Sequence, residues 1–225
     1  MESIDEKIRE IKRQFRKAMN GIVAGSMREK GVEYRVNFGL TLPLVKRIAA
    51  RFTPDKELAS RLWNEQVRES KLLATYLYPP TDVDRDTARR MIQESTYSEI
   101  ADACCTNLFV NLAFAPELAN ECIASPHEMT KYIGYQLWNR LFINRYTPSI
   151  DETETLLSSV KQLLIEGATL SVMIPVTNAI KRLIQQNNSN TYLVKHILED
   201  ILPQCSESGR PVAEELIDEC NSHNF

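Results

Sequence analysis

A chain of 225 residues with 43% hydrophobic and 25% charged side chains is long enough to bury a sizeable core. Its formal charge is −3. No apolar run reaches the roughly 18 residues of a membrane span, and the polar start MESIDEKIRE does not read as a signal peptide, so no membrane partner is expected.

The net charge hides an asymmetry. Residues 1–51 hold 12 Lys and Arg against 6 Asp and Glu, whereas residues 151–225 hold 5 against 11. A polyanion, if bound, is expected on the N-terminal half. Cys104, Cys105, Cys122, Cys205 and Cys220 show no CxxC spacing and share no ligand pattern with the three histidines, so reduced thiols, a cytoplasmic setting and no metal are expected.

In chain order, the spacing predicts a first helix over 3–24, capped by Ser3, with Ile4, Ile8, Ile11, Phe15, Met19 and Ile22 as its apolar stripe. Arg9, Lys12, Arg13 and Arg16 fall on the opposite side, where they can meet phosphates or simply keep a helix solvated. Gly39 with Thr41-Leu42-Pro43 starts the next helix. Lys46, Arg47 and Arg51 add positive charge there, away from Ile48 and Phe52. Two short helices follow, one carrying Leu58, Leu62 and Trp63, the other Leu72, Leu73, Leu77 and Tyr78. Tyr78-Pro79-Pro80 ends the second. Thr81-Asp82-Val83-Asp84 has the form of a capping box with a shorter acid and opens a segment that runs to about Gln93.

Tyr97 to Phe114 reads as one long helix with Ile100, Cys104, Leu108 and Leu112 in its seam. Pro116 opens another helix. Ser125-Pro126-His127-Glu128 has the form of a capping box and starts a helix to Arg145. Four more helices are expected at about 151–165, 171–186, 189–203 and 209–221, with Pro175 delaying or bending its own. Helices this short need neighbours. The expectation is therefore an all-α fold, a HEAT-like helical-repeat solenoid of antiparallel helix pairs forming one domain over 1–225.

The residues alone supply little chemistry. There is no Gly-rich phosphate loop, HExxH or nucleophile elbow, and the carboxylates are scattered. No cofactor is expected.

Gly39, Pro43, Lys46 and Ala49, then Leu62-Trp63, then Arg68-Glu69 with Leu72-Leu73-Ala74, resemble the DNA alkylation repair proteins of the AlkD-like type, which are HEAT-like repeat DNA glycosylases. The resemblance is good over 35–80 and traceable to about residue 188. It implies double-stranded DNA as partner and hydrolysis of the glycosidic bond of N3- or N7-alkylated purines. Within it, Ser98-Glu99-Ile100-Ala101-Asp102 matches a Trp-Asp-x-x-Asp segment. Asp102 then takes the catalytic place, because a carboxylate near the sugar stabilises developing cationic character. Glu99 keeps the charge of the first acid.

The cleft positions differ from the family pattern. Ser98 replaces one Trp. Lys131 with Tyr132 stands where the family has an Arg, and Asn178 stands where it has a second Trp. Lys131 keeps the charge but not the guanidinium fork. Two readings follow: a slow glycosylase, or a non-catalytic HEAT-like module that binds DNA or a protein partner.

Overall fold

The computed structural model describes residues 2–223. They form thirteen α-helices and no strand; a single parallel bridge joins Val36 and Val67. None of these helices is long and apolar enough to cross a membrane. The fold is an all-α HEAT-like array of packed helix pairs, in two compact units, residues 1–113 and 114–225.

The first unit holds α1 (Ile4–Lys17), α2 (Gly21–Glu29), α3 (Leu42–Ala49), α4 (Lys56–Trp63), α5 (Arg68–Leu77), α6 (Arg85–Gln93) and α7 (Ser98–Ala103). α5 is its hub and packs on α3, α4 and α7. Leu58, Leu62, Trp63, Leu72, Leu73 and Leu77 are all buried, so the stripes read from the three short helices are its core.

Ser3 caps α1 in a reciprocal box with Glu6, which holds the Glu6 carboxyl below its ordinary range through the Ser3 backbone N–H. α1 is shorter than its stripe suggests. The predicted helix over 3–24 breaks after Lys17, and Asn20 caps a separate α2 by accepting from the N–H groups of Ile22 and Val23. Met19 and Ile22, expected in the buried stripe, are 62% and 87% exposed. Local capping chemistry at Asn20 outcompetes a periodicity that continues through it.

The turn before α3 explains the break. Gly39 adopts φ +70°, and a Cβ there would lie 2.1 Å from the Asn20 carbonyl oxygen. The Asn20 N–H donates to the Phe38 carbonyl at 2.8 Å. The start of α2 is thus seated on a turn that only glycine can make.

Before α6 the expected box at Thr81–Asp84 reduces to one cap. Pro80–Asp82 is a 3₁₀ turn, and Asp84 accepts from the Thr87 N–H at 2.7 Å. The helix expected from Tyr97 to Phe114 is broken as well. α7 gives way to a π-helical turn over Cys104–Leu108 and a 3₁₀ turn over Phe109–Asn111. Ile100, Cys104, Leu108 and Leu112 are buried as the seam requires. Burial was legible because the apolar spacing survives a local change of pitch.

The second unit holds α8 (Ala115–Ile123), α9 (Glu128–Ile143), α10 (Ile150–Glu166), α11 (Leu170–Ile184), α12 (Asn188–Ile201) and α13 (Gly209–Ser222). α9 packs on both α8 and α11, and α10 and α11 both pack on α12 and α13. Gly134 permits a close approach of α9 to α8, since a Cβ there would meet the Ile123 backbone at 2.7 Å. His127, not Ser125, stands at the N-cap position of α9 and makes no side-chain cap bond, while the Ser125 hydroxyl accepts from the His127 N–H at 3.2 Å, so the box expected over Ser125–Glu128 is absent. Ser149 and Glu152 form a box that opens α10. Pro175 sits buried inside α11, five residues past its start, so that helix begins earlier than Pro175 alone suggests.

Candidate nucleic-acid interface

Burial of Ile8, Ile11 and Phe15 turns Arg9, Lys12, Arg13 and Arg16 toward solvent, as an amphipathic helix must. Local and tertiary contacts then divide them. Lys12 Nζ lies 2.6 Å from Glu65, and Arg13 pairs with Glu10 at 2.5 Å. Arg9 Nε donates to the Asp5 carbonyl at 3.2 Å. Arg51 Nη1 donates to Gln14 Oε1 at 3.2 Å, which brings the end of α3 against α1. Arg16, Lys46 and Arg47 are exposed, and none meets a carboxylate within ion-pairing distance among the described residues.

The acidic candidates sit on α7. Ser98 is its exposed first residue, and Glu99 follows. Glu99 accepts from Arg68 Nε at 2.7 Å and also from Arg68 Nη2. Arg68 is 1% exposed, and its Nη1 donates to both the Glu69 carboxylate and the Leu40 carbonyl at 2.8 Å. Glu69 is 0% exposed and accepts from the Phe38 and Leu40 N–H groups at 3.0 and 3.2 Å. Burial alone would lower the Arg68 pKa; the hydrogen bond and charge of Glu99, then those of Glu69, outweigh it and hold Arg68 above its ordinary value. One guanidinium therefore ties α5, α7 and the Gly39 turn together. The sequence signal for it is a charged pair, Arg68-Glu69, opening a helix whose Leu72, Leu73 and Leu77 are core. Asp102 is half-buried on α7, one turn after Glu99 and just before the π-helical turn.

Beside this knot lies a cavity of about 410 Å³ lined by Tyr34, Trp63, Lys71, Glu94 and Tyr97. Lys71 Nζ sits 4.3 Å over the Trp63 ring and 3.5 Å from Glu94, and Trp63 Nε1 donates to Glu94 at 2.6 Å. The Tyr34 and Tyr97 rings meet at 4.8 Å. The Tyr34 hydroxyl is buried without a hydrogen-bond partner among the described residues; burial first, then the charge of Glu99, pushes its pKa up.

The remaining candidates belong to the second unit. Lys131 shares a cavity of about 800 Å³ with Tyr135, Glu154, Ser159 and Glu166. Tyr132 is half-buried on α9, and Asn178 is exposed on α11. A third cavity, about 370 Å³, is lined by Phe142, Arg145, Thr147, Arg182, Gln185 and Gln186. A fourth, about 290 Å³, has Lys161 and Glu166 in its wall. The thiols are structural. Burial pushes Cys104 and Cys122 up to about 12, and none of the five cysteines forms a disulfide among the described residues.

A search of the curated proteins returned no match. Among solved structures, a protein from "a new family of proteins related to the HEAT-like repeat DNA glycosylases with affinity for branched DNA structures" superposes with TM-score 0.75 at 15% identity, covering 93% of each chain. An engineered protein gives TM-score 0.46 at 12% identity over 83% of this chain and 86% of its own, too distant to carry an argument. The sequence profile described as DNA alkylation repair enzyme matches residues 11–170, well over half of the chain. The chain belongs to the DNA alkylation repair enzyme family.

Proposed function

We propose that this protein binds duplex DNA without sequence preference, through a cationic face on α1 and α3. The observation that carries the reading is the exposed, unpaired state of Arg16, Lys46 and Arg47, with Arg51 held beside α1 by Gln14. Cations already neutralised by a neighbouring acid release fewer counterions, so these residues outrank Lys12 and Arg13 as phosphate contacts. Family membership supports the same reading, and the relative's affinity for branched DNA makes a four-way junction the natural second ligand to test. The test is fluorescence anisotropy on a plain duplex and a junction across a salt series. Binding to both that weakens steeply with salt is expected; absence of binding at low salt would remove the reading.

A second reading adds slow excision of N3- or N7-alkylated purines, supported by the half-buried place of Asp102 against the π-helical turn, a distortion frequent at functional sites. Such a base is already a good leaving group, so the protein must add chiefly a negative charge near the sugar. Asp102→Asn should abolish release of 7-methylguanine from methylated duplex in single-turnover assays and leave DNA affinity intact. Release no faster than spontaneous depurination, or equal rates for both proteins, would favour the non-catalytic module.

A further inference from the structure

α9 ends in a Schellman turn. The Tyr146 N–H donates to the Leu141 carbonyl and the Arg145 N–H to the Phe142 carbonyl, both at 3.0 Å. Arg145 occupies the position where glycine is the usual residue. Its φ is +63°, and it is the one residue other than glycine with positive φ among those described. A side chain in the left-handed region strains the backbone, and such strain gathers where function requires it.

The Arg145 side chain lines the 370 Å³ cleft together with Arg182. Arg182 Nε is fixed by Asn139 Oδ1 at 2.9 Å, which leaves its two Nη groups for another acceptor. Gln186 Nε2 donates to the Tyr146 carbonyl at 2.8 Å and so pins the strained turn from α11. Buried Phe142 forms part of the wall. No carboxylate lines this cleft, and among the described residues neither guanidinium forms an ion pair. The three cavities described above differ: Lys71, Lys131 and Lys161 each share their lining with glutamate. The cleft also lies in the half of the chain whose formal charge is most negative, so composition does not account for it.

We infer that the Arg145–Arg182 cleft is a phosphate-binding site. Two planar guanidinium forks, each with parallel donors, match the several acceptor oxygens of a phosphate group. The volume admits more than a bare ion, which suits a phosphodiester of a nucleic-acid backbone or a phosphate monoester on a small molecule. The inference does not depend on DNA binding by α1 and α3.

The test is a phosphate titration of the full chain, followed through the arginine Nε–Hε resonances, against sodium chloride at matched ionic strength. Arg145 and Arg182 should shift saturably with phosphate and not with chloride. Arg145→Gly is the informative variant, because glycine suits the left-handed turn. It should melt no lower than the wild type yet bind phosphate at least about tenfold more weakly, the loss expected for one charge-assisted hydrogen bond. Arg182→Gln should weaken binding similarly and serves if the first variant folds poorly. Duplex DNA titrated into the same variants separates the sources. Weakened affinity identifies a backbone phosphate, and unchanged affinity with lost phosphate binding identifies a free phosphate ester. Equal shifts with chloride, or an Arg145→Gly protein that binds phosphate as the wild type does, would overturn the assignment.

Discussion

Arg68 on α5 grips Glu99 on α7 through two of its nitrogens, with Nε to Oε2 at 2.7 Å, while its third nitrogen holds Glu69. A buried guanidinium between two carboxylates is stable only while both partners stay. Arg68→Met would leave Glu69, 0% exposed, with two backbone N–H groups and no counter-charge, at a cost of about 3–5 kcal/mol. Glu99 is partly exposed and can be hydrated, so Glu99→Gln should cost less, about 1–3 kcal/mol. Urea denaturation of both variants checks the order, and a larger loss for Glu99→Gln would contradict the buried triad.

Gly39 sets the register of α2. Alanine there combines a left-handed backbone with a Cβ placed 2.1 Å from the Asn20 carbonyl oxygen and 2.9 Å from the Ala24 nitrogen. Both obstacles are backbone, so neither yields by a rotamer change. The expected destabilisation is about 3 kcal/mol or more, with amide exchange of α2 accelerated before that of α5. Wild-type stability in Gly39→Ala would refute the close approach.

The cationic face permits a contrast between unpaired and paired cations. Arg16→Glu and Arg47→Glu should each lower the slope of log affinity against log salt by about 0.9 for duplex DNA. Lys12→Glu removes a cation that Glu65 already engages at 2.6 Å and should move the slope less. Equal effects from all three would mean that the ion pair opens on binding and that its partner does not rank the contacts.

The buried thiols predict an alkaline limit. Cys104 and Cys122 titrate near 12 in the fold against an ordinary value of 9.0, because burial disfavours the thiolate. The unfolded chain therefore loses these protons first. The stabilisation is complete below about pH 9 and is lost as the pH rises toward about 12, by about 1 kcal/mol per pH unit for each thiol. Urea midpoints from about pH 8 to about pH 11 should fall for the wild type and fall less steeply for Cys104→Ala/Cys122→Ala. Parallel profiles would show that other groups set the limit.

Much of the fold was legible without coordinates. Apolar residues at steps of three and four marked the cores of α1, α4 and α5, because burial of one face dictates that spacing whatever the neighbours are. Ser3 and the family motif from Gly39 to Ala74 were also readable, since capping and a left-handed glycine are local requirements. The charges were legible only as a stripe. Whether Lys12 stays free depends on Glu65, some fifty residues away, and whether Glu99 is a cleft acid or the partner of Arg68 depends on how α5 meets α7. Periodicity carries no information about such pairings.

The same division holds for the whole protein. By itself the sequence determined the helical class, the buried faces and membership of the DNA alkylation repair family, because these follow from short-range spacing and from motifs within single helices. Only the tertiary structure decided which cations remain unpaired, where α1 and the segment after α7 break, and that Arg145 and Arg182 line one cleft. Those outcomes rest on contacts between helices distant in the chain, where a carbonyl, a carboxylate or a turn arrives from elsewhere and settles what each side chain can do.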